Sequence, residues 1–186
     1  MENRIKTLIS KHNITIVDDS NLSLRSKPSN EDVDFIKANK QLFIDYIKSE
    51  QIAKEKVAEE RKRKIDAIEG LTELENAIDE HDNYQYEIER RMQNENLSSF
   101  LPEKPKSNIE ELKIKYPRAT AYLTAKNWSY ASNVEKMVAG RKALERIING
   151  ENFKIVLEDM EAEWLSNCKN KIWDWMFVVR GYHKKP

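Results

Sequence analysis

Cysteine is nearly missing from this chain. Cys168 stands alone, so no internal disulfide can staple the fold, and catalysis by a lone thiol would need a nearby base that the sequence does not supply. The three histidines, His12, His81 and His183, lie far apart without the spacing of metal ligands, so no metal site and no cofactor are expected. Glycine and proline are scarce, 4 and 5 in 186 residues; with 34% charged residues this composition favours helices over strands and turns. Net charge is absent too. The 32 basic and 32 acidic residues cancel, so no whole-molecule field draws the chain onto nucleic acid or an anionic membrane. No apolar run approaches the roughly 18–20 residues that span a bilayer, and the first residues read as an amphipathic helix rather than a signal peptide. The expectation is a mainly α, cytoplasmic protein that spans no membrane.

What is present begins with an N-terminal alternation of patterns. Ile5, Leu8 and Ile9 fall at helical spacing within Met1 to His12. Ile14 and Ile16 then alternate with Thr15, and Leu22 and Leu24 with Ser23, around the turn-forming Asp18-Asp19-Ser20-Asn21: two strands of a hairpin. Pro28 is expected to end the second strand. Ser29-Asn30-Glu31-Asp32 carries the chemistry of a helix N-terminus, and Val33 and Ile36 line the helix that follows. Asn39 interrupts it before a further helix with Leu42, Phe43, Tyr46 and Ile47. The predicted order for residues 1–50 is α-β-β-α-α, and a lone hairpin needs such helices to cover one face.

This order, with the string LISKHNITIVDDSNLSLRSKPSNEDVDFIKANKQLFIDYIKSE, resembles the tubulysin-type N-terminal docking domains of nonribosomal peptide synthetases. The resemblance implies that the hairpin presents an edge to a short linear peptide of a partner, and that a homodimer can form. On this chain the implied edge is the second strand around Leu22 to Lys27, with Leu22, Leu24, Arg25 and Lys27 as partner-binding residues. The physics is β-augmentation, in which unpaired backbone groups give affinity and side chains give selectivity. The same fold also serves as a stabilising cap. The rest of the chain looks unlike a synthetase, so the biosynthetic role does not carry over.

Residues 51–95 read as a charged helical connector. Glu50 with Lys54, Glu59 with Arg63 and Glu60 with Lys64 sit at i to i+4 spacing, acid first. Arg61, Lys62, Arg63 and Lys64 form the one compact basic run, a candidate contact for nucleic acid or a ribonucleoprotein, although an exposed helix carries such charges in any case. From Glu69 to Asn96 nine acidic residues face two arginines, and Leu74, Ile78, Ile88 and Met92 mark a stripe. That segment repels nucleic acid, and it suits either a solvated face or competition for a basic groove on a nucleic-acid enzyme.

A Pro/Ser linker at 96–108 is expected to separate the connector from a C-terminal helical bundle at 109–186. Within it Ile109 to Lys115 read as a short helix, Ala119 to Ala125 as an alanine-rich turn, and the stretch through Ile148 as a helix ended by Asn149-Gly150. Phe153, Val156, Leu157, Met160 and Trp164 continue at helical spacing. Ile172, Trp173, Trp175, Met176 and Phe177 close the pattern with an apolar cluster. All four tryptophans lie after residue 127, a bundle core or an exposed hot spot, the latter most plausible near Trp175, Phe177 and Tyr182 beside Lys184 and Lys185. The stretch 116–174, with Tyr116-Pro117-Arg118-Ala119, Ala131-Ser132-Asn133 and Ile147-Ile148-Asn149-Gly150-Glu151, resembles uncharacterised proteins of prophages and conjugative elements of low-GC Gram-positive bacteria.

No phosphate-binding glycine loop, nucleophile elbow or paired metal motif stands in the sequence, and no histidine lies near a plausible nucleophile along it, so catalytic residues are expected to be none. The acids Glu158, Asp159, Glu161 and Glu163 point around a helix rather than at one metal. The resemblance implies an accessory protein acting in a bacterial host cytoplasm, which inhibits a host defence nuclease by stoichiometric binding: an anti-CRISPR protein, with a type II CRISPR effector or its ribonucleoprotein as the favoured partner. The alternative is a non-catalytic DNA-associated adaptor of phage or plasmid replication that recruits a protein through the docking domain.

Overall fold

The computed structural model describes residues 1–18, 21–93 and 102–179, with backbone alone for 170–179. The chain is mainly α, with eight helices and one two-stranded antiparallel sheet among the described residues. It forms two compact units, which meet in sequence between Arg61 and Lys62.

In the first unit α1 (Glu2–His12) stops at Asn13, whose left-handed φ of 48° is one that asparagine adopts more readily than most residues. Strands β1 (Thr15–Asp18) and β2 (Asn21–Ser23) pair with Thr15 opposite Ser23 and Ile16 opposite Leu22. Helix α2 (Asn30–Ala38) starts where Ser29 Oγ accepts the Asp32 amide at 3.2 Å, and Asn39 separates it from α3 (Lys40–Asp66). Ile5 and Leu8 of α1, Ile14, Ile36 of α2 and Phe43 of α3 form the core, with Leu22, Leu24, Phe35, Tyr46 and Ile47 against it. The α-β-β-α-α order is therefore present. One expectation needs correction: β2 ends at Ser23, well before Pro28. The Arg25 amide donates to the His12 carbonyl at 3.1 Å, which turns the backbone away from β1.

The second unit gathers the end of α3 with α4 (Leu71–Met92), α5 (Ile109–Lys115), α6 (Pro117–Ser129), α7 (Val134–Ile148) and α8 (Phe153–Val179). Its core includes Ile68, Leu71, Leu74, Ala119, Tyr122, Ala143, Ile147, Val156 and Met160. Helix α4 thus shares a core with helices beyond the Pro/Ser stretch at 96–108, rather than belonging to a solvated connector. The alanine-rich turn expected at Ala119 to Ala125 is helical. Pro117 occupies the first turn of α6, where its missing N–H costs nothing, and alanine is the strongest helix former. Asn108, Asn133 and Asn152 cap α5, α7 and α8 through their side-chain oxygens. The Arg118 guanidinium donates to the Ile147 carbonyl at 2.7 Å, a second bond to an oxygen that also accepts the Gly150 amide at 3.1 Å.

Two glycines set close contacts in this unit. A Cβ on Gly140 of α7 would stand 2.6 Å from the Trp128 carbonyl carbon and the Ser129 nitrogen of α6. Gly70, with φ of +71°, lies under the Tyr116 ring, whose hydroxyl donates to Glu73 at 2.6 Å. Trp128 and Trp164 are half-buried against the core and meet edge to face, centroids 5.5 Å apart, with the Lys136 ammonium 4.5 Å above Trp128. The side chains of the apolar cluster expected at 172–177, and Tyr182, Lys184 and Lys185, lie outside the described residues.

Gly140→Ala is expected to lower stability by about 1–3 kcal/mol, because the added methyl meets backbone. At an exposed helical site the same change stabilises by up to about 1 kcal/mol, so the sign decides. Trp128→Ala is expected to cost about 3–5 kcal/mol. Urea unfolding of the full chain measures both.

Candidate binding groove

Leu22, Leu24, Arg25 and Lys27 come together in the first unit. They line one wall of a groove of about 540 Å³, with Asn21, Ser26 and Pro28; Val33, Ile36, Lys37 and Lys40 line the other. Local sequence explains both walls. The apolar residues of β2 and the residue after it turn toward the core, while the chain beyond Ser23 leaves the ladder and lifts Arg25 and Lys27 into solvent. On α2, Val33, Ile36 and Lys37 recur at steps of three and four, which places them along one face, and Lys40 begins α3 just beyond the break at Asn39. Strand β2 has β1 on one side only, so its other edge carries no strand among the described residues.

The electrostatics of the groove have one sign. Arg25, Lys27, Lys37 and Lys40 line it, and among the described residues no lining side chain is acidic. Lys40 Nζ donates to Asn21 Oδ1 at 3.1 Å, while Arg25, Lys27 and Lys37 carry no ion pair among the described residues. The floor of leucine, valine and isoleucine offers apolar contact, and the rim offers charge-assisted hydrogen bonds to carboxylates.

Behind the loop wall stands a polar chain that sequence spacing did not reveal. His12, 4% exposed, holds the Ser26 hydroxyl at 2.8 Å through Nδ1 and Asp32 Oδ2 at 3.2 Å through Nε2. Lys11 Nζ lies 2.9 Å from the same Asp32 oxygen. The expectation that no histidine approaches a nucleophile is thus corrected in space: a serine, a histidine and an aspartate stand in hydrogen-bonded series. In an acyl-transfer triad the carboxylate stabilises a developing imidazolium. Here the Lys11 ammonium also lies against that carboxylate, and the series ties the end of α1 to the loop after β2 and to the first turn of α2. Lys11 first, then the His12 ring and the Ser29 hydroxyl, hold the Asp32 carboxyl at about 2, below its ordinary 3.8, against the opposing effect of burial.

The basic run on α3 is divided in its engagements. Lys64 Nζ donates to Asn149 Oδ1 at 3.2 Å and Arg61 has a partner of its own, while Lys62 and Arg63 are exposed and carry no ion pair among the described residues. Cys168 is half-buried, and His81 binds the Ser107 carbonyl at 2.9 Å. Among the described residues no group of His, Cys, Asp or Glu converges to hold a metal ion, and no helix is long and apolar enough to cross a membrane. No family model, curated protein or solved structure matches the chain.

Asp32→Asn is expected to destabilise the first unit in a pH-dependent way. A carboxyl whose folded value lies near 2 and whose unfolded value is 3.8 stabilises the fold above about pH 4, and that contribution is lost as pH falls toward 2. The melting temperature of the wild type should exceed that of Asp32→Asn at pH 6, with the gap closing between pH 4 and pH 2.

Proposed function

We propose that this chain is a binding protein whose N-terminal unit captures an extended, acidic segment of a partner in the groove between β2 and α2. The observation that carries the reading is the lining itself: an apolar floor with Arg25, Lys27, Lys37 and Lys40 around it and no carboxylate among the described lining residues. An extended segment alternates its side chains, so apolar residues can face the floor while acidic ones reach the rim. The unpaired edge of β2 offers main-chain hydrogen bonds to the same segment.

The resemblance of 116–174 to proteins of prophages and conjugative elements supports a role for this capture: stoichiometric inhibition of a host defence nuclease, with a type II CRISPR effector as the favoured target. The second reading is a DNA-associated adaptor, favoured by the exposure of Lys62 and Arg63 on α3. Salt separates the two. A phosphate contact through this run loses affinity steeply as salt rises, whereas nuclease capture proceeds with DNA absent.

The test is a titration of purified effector–guide complex with the full chain. Cleavage should fall to a plateau near a fixed molar ratio, and the complex should form on gel filtration without DNA and in the presence of a chelator. Lys27→Glu combined with Lys37→Glu should weaken capture about tenfold or more, because two attractive contacts become repulsive. Leu24→Asp should do the same, by placing a charge on the groove floor or by damaging the core that Leu24 packs against, and circular dichroism separates the two. Progressive loss of the nuclease at substoichiometric amounts, or loss of activity in a folded Cys168→Ala chain, would point to an enzyme instead.

A further inference from the structure

The polar chain behind the groove does more than brace it. Ser26 stands between Arg25 and Lys27 on the groove wall, and its hydroxyl has one proton and two lone pairs. The Asp32 carboxylate is ionised at any ordinary pH and therefore only accepts hydrogen bonds. In a neutral ring the His12 nitrogen facing it, Nε2, then holds the proton, and Nδ1 is left as a bare lone pair 2.8 Å from Ser26 Oγ. The Ser26 proton is drawn back into the protein. What the hydroxyl turns toward the groove is acceptor capacity alone. The Arg25 amide on the His12 carbonyl, at 3.1 Å, pins the loop so that Ser26 keeps this position.

We propose that the Asp32–His12–Ser26 chain sets the specificity of the groove by presenting Ser26 as a fixed hydrogen-bond acceptor, so that the captured segment must offer a main-chain N–H there while its carboxylates lie on the flanking cations. The inference rests on the reading of the groove as a peptide site. His12 is a positioning residue in this arrangement, since it acts through Ser26. A carboxylate placed against Ser26 would oppose lone pairs to lone pairs and is steered to Arg25, Lys27 or Lys37. A proline facing Ser26 brings no donor and leaves the oxygen unpaired.

Backbone esters test this. The probe is a fluorescein-labelled Glu-Leu-Glu-Val-Glu-Leu peptide, with a set of analogues in which each amide N–H in turn is replaced by an ester oxygen. Anisotropy with the full chain at pH 8 reads the affinities. One ester should bind about five- to tenfold more weakly than the parent, the loss of one neutral hydrogen bond in a shielded site. That penalty should disappear in Ser26→Ala. It should also shrink in His12→Phe, where only the Lys11 carbonyl, a longer acceptor at 3.5 Å, competes with the ester oxygen for the Ser26 proton. His12→Asn, whose side-chain oxygen can take the Ser26 proton in place of Nδ1, should restore it. If the parent peptide binds and Leu24→Asp abolishes binding, yet no ester penalty depends on Ser26, the groove reading stands and this inference falls. If the parent peptide fails to bind, or binds Leu24→Asp equally well, the groove reading falls and takes this inference with it.

Discussion

The two hydrogen bonds of the His12 ring hold the first unit's groove in shape. His12 ends α1, and its partners stand on the loop after β2 and in the first turn of α2, so one buried side chain connects the three elements that position both walls. A unit of about 60 residues buries too little apolar surface to fix every loop by packing alone. A buried imidazole with both nitrogens occupied adds direction to that packing. Removing either partner leaves a buried polar atom unpaired, which costs more than the bond itself contributes. The cations of the groove keep their places because the loop and the helix that carry them are tied to the same ring.

The second unit is held by the opposite means. Helices α6 and α7 approach so closely that a Cβ on Gly140 would meet the α6 backbone at Trp128 and Ser129, and Ala121 and Ala125 on one helix and Ala139 and Ala143 on the other are small and buried. Larger residues close the periphery: Tyr116 over Gly70, and Trp128 against Trp164 beneath the Lys136 ammonium. Such packing tolerates little change in volume, so this unit is rigid by steric fit, whereas the first depends on hydrogen-bond direction.

Much of this architecture is legible in the residues wherever the determinant is local. The alternation of Ile14 with Ile16, the cap at Ser29 and the stop at Asn149-Gly150 each depend on neighbours within a few positions, and each is found where those neighbours place it. Helix α6 is hidden because small residues bury without an apolar period, so Ala119 to Ala125 read as a turn. The membership of α4 in the second core is hidden because its contacts reach past the 96–108 stretch. Of the groove, Leu22, Leu24, Arg25 and Lys27 are legible from the hairpin. The opposite wall is legible only in part, as the helix face of Val33 and Ile36; Lys37 and Lys40 carry no such signal, since the packing of α2 and the start of α3 beside β2 is a tertiary fact. The Ser26–His12–Asp32 series has no sequence signature, because its members stand 14 and 20 residues from the histidine and meet only through the fold.

The central claim is that the groove between β2 and α2 takes an acidic extended segment. The most direct measurement is an amide chemical-shift map of the isotopically labelled full chain. It would be titrated with a Glu-Leu-Glu-Val-Glu-Leu peptide and, separately, with its Lys-Leu-Lys-Val-Lys-Leu counterpart. The account expects the acidic peptide to move the amides of Asn21 to Lys27 and Val33 to Lys40, and the basic peptide to leave them in place. Equal shifts with both peptides, or shifts confined to residues of the second unit, would contradict it.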